Sequence, residues 1–212
     1  MAIISTKKII IISTEEIPND VLFKLGRLGV IEFSIPRGEE IPFSTDENMT
    51  TLHGKIDELY SRLIKIFKNL GINPKKFSIE DMKKPEDINI DAWEKEISET
   101  EELVNNVIAR ISELSTQINL LSKSKGPKNE LKKLKDTLNK AINEKNALSK
   151  KLEKTLPKIY SEITFFRGIT FGKKHILKSK YFHVITGWVL SNKIKDVKAF
   201  LNDLELYKKG AL

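Results

Sequence analysis

Two heptad runs, one directly after the other, constrain this chain more than any other feature. Ile97, Val104, Ile111 and Ile118 hold one heptad position of the first run, and Thr100, Val107, Leu114 and Leu121 hold the second. Four apolar heptads with a single polar intruder specify a long helix that must bury one stripe against a partner helix. In the second run Leu131, Leu138, Lys145 and Leu152 alternate with Leu134, Ala141, Leu148 and Thr155, and Ile142 and Leu156 widen the apolar face. Its seam is weaker because Lys145 and Thr155 stand in it. Between the runs, Ser122 to Asn129 is a short turn with a Gly126-Pro127 breaker. Heptad helices joined by so short a link must lie antiparallel. At ~1.5 Å per residue each makes an arm of about 45 Å.

The two arm helices differ in charge. Residues 91–122 carry seven acids against Lys95 and Arg110, a net of −5, and residues 123–158 carry twelve lysines against four acids, a net of +8. Opposite charge on neighbouring helices favours their pairing. The overall formal charge of +8 therefore sits mostly on the second arm helix and its tip. A basic balance invites a nucleic-acid reading, but only 8% of residues are aromatic and they are not interleaved with the lysines as on stacking surfaces. A basic coiled-coil nucleic-acid binder and a coiled-coil adaptor or chaperone are the two alternative function classes. No specific nucleic-acid partner is expected.

The ends of the chain read differently from its middle. Lys8 to Ser13 holds four consecutive isoleucines, of strand length, and such a run suggests a strand covered on both faces. It is too short for a signal peptide and leads into Ser13-Thr14-Glu15-Glu16 without a cleavage site. No apolar run reaches the ~18 residues needed to cross a bilayer. Glu15 to Asp20 is a helix entrance, and Val21, Leu22, Leu25 and Leu28 form one stripe. Gly29 marks the exit into a second short strand, Val30 to Phe33. This β-α-β unit of about 27 residues lacks the glycine-rich loop of a nucleotide site and is half of a ferredoxin-like split fold.

An irregular link follows through Ile35-Pro36 and Ile41-Pro42. A helix is predicted from the Ser44-Thr45-Asp46-Glu47 cap to about Asn69, ended by Gly71 and Pro74, with a loop over 71–90. After the arm, the stripe Ile159, Tyr160, Ile163, Phe166 and Ile169 continues as helix through a kink at Pro157, weakened by Gly168 and Gly172. Tyr181 to Leu190 is a third strand. Ser191-Asn192 caps a last helix with Ile194, Val197, Phe200, Leu201 and Leu204 on its inner face, ended by Gly210. A split fold needs a fourth strand where Ala211-Leu212 stand, so a fragment of a longer protein is expected. The predicted class is α+β: a ferredoxin-like (split β-α-β) lobe of residues 1–45 and 159–212, a connecting helix and loop at 46–90, and an antiparallel coiled-coil hairpin at 91–158.

Three motifs in this order carry a resemblance. They are the opening strand Lys7 to Ile12, the segment Leu25-Gly26-Arg27-Leu28-Gly29-Val30-Ile31-Glu32-Phe33, and Tyr181 to Val189 ending in Gly187-Trp188-Val189. Together with the long helices between them, they resemble the cytoplasmic N-terminal region of subunit I, or subunit a, of V-type and A-type ATPases. The likeness spans essentially the whole chain. It departs at Leu190, where the family typically has proline after Gly-Trp-Val. It departs again at the tip, where the family carries a second lobe and this chain only a turn. The resemblance implies a reduced stator arm on the cytoplasmic face of a membrane. Such an arm links peripheral-stalk subunits to the rest of subunit I and the membrane rotor complex, and carries no catalytic residue of its own.

Site candidates are few. The chain has no cysteine, which excludes disulfides and thiolate zinc sites. His53, His175 and His183 have no partner at metal spacing, so structural or surface roles are expected, with no metal and no cofactor. Gly187, Trp188 and Val189 have two readings. In the first, Trp188 packs in the core while glycine relieves crowding; in the second, the group touches a stalk or neighbouring subunit. Lys123, Lys125 and Lys128 at the tip are a solvated turn or a dock for an acidic partner. Lysines 132, 133, 150 and 151 are solubilising.

Overall fold

The structure is a computed structural model that describes residues 5–28, 31–34, 46–74, 89–124 and 126–203, with only the backbone of 27 and 28. The chain is mostly helical with a small antiparallel sheet of four strands, an α+β class. Its elements are β1 (Thr6–Ser13), α1 (Asn19–Leu28), β2 (Ile31–Phe33), α2 (Glu47–Leu70), α3 (Ile90–Lys123), α4 (Lys128–Lys174), β3 (Leu177–Lys178), β4 (His183–Leu190) and α5 (Ile194–Asp203). Outside the described residues lie the expected helix exit at Gly29 and Val30, the link Ile35 to Pro42, and the cap residues Ser44 and Thr45. So do most of the 71–90 loop, Leu204, Gly210 and Ala211-Leu212. The chain divides into two compact units, Met1–Lys55 with Phe165–Leu212, and Ile56–Thr164.

In the first unit β4 is the organising strand. β1 pairs antiparallel along one edge of it, from Thr6 opposite Leu190 to Ser13 opposite His183. β2 pairs antiparallel with the other edge, Ile31 opposite Val189 and Phe33 opposite Gly187. β1 and β2 therefore run parallel to each other with β4 between them. β3, two residues that no periodicity could reveal, pairs with β4 at Val184 and His183. Because strand side chains alternate, one face of the sheet carries Ile11, Ile31, Phe33 and Ile185. That face meets Ile17, Val21, Leu22 and Leu25 from α1 and its entrance, Ile176, and Phe200 of α5. α1 also lies close to the end of α4: a Cβ on Gly172 would sit 3.4 Å from Leu22. The α4 helix thus stays regular through Gly168 and Gly172 instead of weakening there.

The second unit is a helical body. Trp93 of α3 bonds Glu162 of α4 and Arg110 bonds Glu144. Moving 17 residues up α3 moves the contact 18 residues down α4, which is the antiparallel hairpin that the heptads require. Asn89 caps α3, its side chain accepting from Ala92 N at 2.9 Å. α4 is helical through Pro157. That proline lacks the N–H that would bond four residues back.

α2 does more than connect. Tyr60 and Phe67 meet the Tyr160 ring at 6.0 and 5.6 Å, and Ser149 Oγ donates to the Leu70 carbonyl at 3.2 Å. Contacts run down α4 as α2 advances, so α2 is antiparallel to α4 and parallel to α3. Arg62 fixes the α3 side, with Nε to Glu101 at 2.9 Å and Nη2 to Ser98 at 2.8 Å. Ile56, Leu63, Ile66 and Phe67 are fully buried in this three-helix core with Ile97, Val104, Leu156 and Ile163. Each large apolar side chain buried contributes about 1.5–3 kcal/mol. α2 stops at Leu70 and Ser149, so α3 beyond about residue 106 and α4 before 149 continue as two helices only. There the seam residues Ile111, Ile118, Leu131, Leu134 and Leu138 are half-buried, and only Leu114 and Ala141 reach full burial. Two helices can shield one side of a seam; a third is needed to shield the other.

Candidate functional site

The segments that carry the resemblance come together. Ile31-Glu32-Phe33 and Gly187-Trp188-Val189 lie more than 150 residues apart in sequence, yet they are residue-for-residue partners on β2 and β4. Lys7 to Ile12 flanks the same strand on its other edge. Gly187 is required by this pairing. A Cβ there would stand 2.7 Å from the Glu32 carbonyl oxygen and 2.9 Å from Ile31 Cγ2, closer than any side chain tolerates. The expectation that glycine relieves crowding is met by backbone of the neighbouring strand.

Trp188 is not a core residue. By alternation Val189 points into the α1 face and is buried, while Trp188 points to the opposite face and is 43% exposed. Ile10 (59%) and Ile12 (63%) stand exposed on that face, as does Leu190. The isoleucine run is thus covered on one side, not two. The residues that share the Trp188 level are Lys8 and Glu32, so an apolar strip is flanked there by one charge of each sign. Such strips on an open sheet face are contact surfaces more often than inert ones.

At the arm tip, Ser124 closes α3 with its N–H on the Leu120 carbonyl at 3.1 Å, and Glu130 N donates to the Pro127 carbonyl at 3.1 Å to start α4. Lys123 and Lys128 are exposed on either side of this turn; Lys125 lies outside the described residues. Lys132, Lys133, Lys150 and Lys151 are exposed on α4.

The histidines take three different places. His53 is buried, with Nδ1 3.0 Å from Thr170 Oγ1. His175 is 2.7 Å from the Phe171 carbonyl. His183 has a buried Nδ1 with no hydrogen-bond partner among the described residues. It lines a pocket of about 40 Å³ with Glu16, Asp46, Met49, Lys173, Ile176 and Lys178, room for one or two waters and no more. Among the described residues no three metal-ligating side chains converge, and no helix is long and apolar enough to cross a membrane.

No protein-family model matches the chain, and no curated protein matches it.

Asp46 is the one titrating group in this region with a resolved shift. Its carboxyl is held below its ordinary value of 3.8, first by the hydrogen bond from Lys178 Nζ and then by the backbone N–H of Met49. The distances are 3.1 and 3.2 Å. Asp46 is thus both the N-cap of α2 and an ion-pair partner, a role the capping pattern foresaw only in part. A depressed folded value means that the stabilisation is present above the unfolded value and is lost as pH falls through the folded one. Asp46→Asn keeps the cap acceptor but loses the charge. It should cost about 0.5–1 kcal/mol at neutral pH, the scale of a partly exposed pair. Thermal unfolding of both proteins across the acid range should show that difference vanishing below pH 3.8. Parallel curves down to the lowest pH would exclude a role for the charge.

Proposed function

We propose that this chain is the cytoplasmic stator-arm segment of a rotary V-type or A-type ATPase, a reduced form of the N-terminal region of subunit I. In this reading its lobe is a ferredoxin-like, split β-α-β fold. The sheet-face strip around Trp188 and the lysine-rich tip are its partner surfaces. The chain is non-catalytic and works at the cytoplasmic membrane face. It holds peripheral-stalk subunits against the membrane ion-translocating part, so that rotor torque does not spin the assembly.

One observation carries the reading. Two short motifs that resemble the family, at opposite ends of the chain, are hydrogen-bonded neighbours in one sheet, and everything between them is helix that departs and returns. A chance likeness in two five-to-nine-residue segments has no reason to pair in register. The mechanics support it too. A paired-helix arm resists bending, and helix N- and C-termini that re-enter one small sheet give a fixed root for a lever.

The test is biochemical. Antibody raised against residues 1–212 should detect its antigen in membranes of the source organism, migrating with assembled ATPase on a native gel and released with the stalk subunits by chaotropic wash. Antigen found wholly in the soluble fraction, free of ATPase subunits, would sink the proposal.

A further inference from the structure

We infer that the uncovered half of the α3–α4 hairpin docks an acidic amphipathic helix from a peripheral-stalk subunit, in the groove whose other half is filled by α2. The partner's identity rests on the stator reading above; the groove rests on the helices themselves.

The groove is defined by α2's own contacts. On α3, Glu101 bonds Arg62 of α2, and residues seven further on lie on the same face: Ile108, then Ser115. On α4, Ser149 bonds the last carbonyl of α2, and steps of seven lead away to Ile142 and Lys135. The first member of each row is covered by α2. Beyond the point where α2 ends the rows continue uncovered. Ile108 is half-buried and Ile142 is 38% exposed. The floor between them is the half-buried seam of Ile111, Ile118 and Leu138.

The vacant stretch is about 18 residues of each helix, or about 27 Å, enough for a helix of about five turns. It is continuous with an interface that the chain already uses internally, so its shape is that of a three-helix bundle with one helix missing.

Charge selects the occupant. Along the covered stretch, α2 presents a cation, Arg62, to an acid of α3. Along the vacant stretch the flanking charges are basic: Lys135 on the rim and Lys145 in the seam itself. Neither pairs with a carboxylate among the described residues. Between 123 and 136 the chain carries six lysines against Glu130 and Asp136. A lysine in a seam is a cost in a two-helix arm and a gain where a third helix brings an acid to it. Aliphatic side chains toward the seam and Asp or Glu toward Lys135 and Lys145 satisfy both demands.

The test measures binding of the purified 212-residue protein to the peripheral-stalk subunit pair of the same organism by isothermal titration calorimetry. Two variants are compared: Ile142→Asp, and Lys135→Glu with Lys145→Glu. Circular dichroism verifies the fold of each, and the double lysine variant, polar throughout, keeps the test decisive if Ile142→Asp loosens the arm. At least tenfold weaker binding by the folded variants, with affinity of the unmodified protein falling as salt rises, is the expected result. Binding unchanged by both variants overturns the groove while leaving the stator reading standing. No binding by the unmodified protein overturns both. Self-association that Ile142→Asp abolishes, seen by sedimentation without stalk subunits, would overturn the inference in favour of a second copy of this chain.

Discussion

Replacing Gly187 with alanine is expected to destabilise the small sheet by about 3 kcal/mol, the upper part of the range for overpacking a site that cannot relax. The added Cβ would meet the Glu32 carbonyl oxygen at 2.7 Å and Ile31 Cγ2 at 2.9 Å. A side chain can rotate away from such a contact. A carbonyl held in a strand ladder can move only by shifting β2, which is three residues long and hydrogen-bonded to β4 alone. Urea denaturation should show the lowered midpoint. Amide exchange should be fastest to change at Ile31 to Phe33, since the strain falls on β2 first. An unaltered midpoint would mean that β2 is not held against Gly187. The neighbour Trp188→Ala is the built-in contrast, because its half-exposed ring leaves little cavity when removed.

That contrast marks where sequence reasoning ran out. Gly187-Trp188-Val189 was legible as a motif and as a strand, and glycine's purpose as relief of crowding. Which face each residue takes was not legible. Tyr181 to Leu190 is apolar almost throughout, so no alternation separates Val189, buried, from Trp188, exposed. The four isoleucines of β1 pose the same problem. A continuous β-branched run reads as covered on both sides, yet Ile10 and Ile12 lie on the open face because α1 and α5 both pack on the other. Side coverage is a property of helix placement, and only β4's position between β1 and β2 fixes it.

The arm was the most legible part, because a heptad states both that a helix has a partner and which residues face it. Antiparallel pairing follows from the short turn, and Arg110 with Glu144 obeys it. The α2 stripe of Ile56, Leu59, Leu63, Ile66, Phe67 and Leu70 announced burial just as clearly. It did not announce against what, and α2 was read as a connector. The missed signal was an asymmetry in α3. Trp93 and Ser98 precede the strongest heptads, and a tryptophan beside small polar residues suits a wider three-helix core better than a two-helix seam. Pro157 was read as a kink, yet α4 is helical on both sides of it, the helix held by packing on each flank.

Trp93 therefore carries the sharpest energetic prediction in the helical unit. Its ring is buried, and its indole N–H donates to Glu162 Oε2 at 2.9 Å. Trp93→Ala removes the largest side chain of the α2–α3–α4 core and should cost about 3–5 kcal/mol, the range for deleting a buried aromatic. Trp93→Phe retains most of the volume and loses the hydrogen bond to a carboxylate, so about 1.5–3 kcal/mol is expected. Ile118→Ala, in the half-buried seam beyond the end of α2, should cost about half as much as a fully buried isoleucine, because solvent already reaches one side of it. Urea denaturation of the three variants followed by far-ultraviolet circular dichroism ranks them. Equal losses for Trp93→Ala and Ile118→Ala would mean that the hairpin is one uniform two-helix element with α2 merely resting on it. A loss several times greater at Trp93 means that rigidity is concentrated where three helices meet. The distal arm is then left as a compliant pair whose stiffness depends on what docks along it.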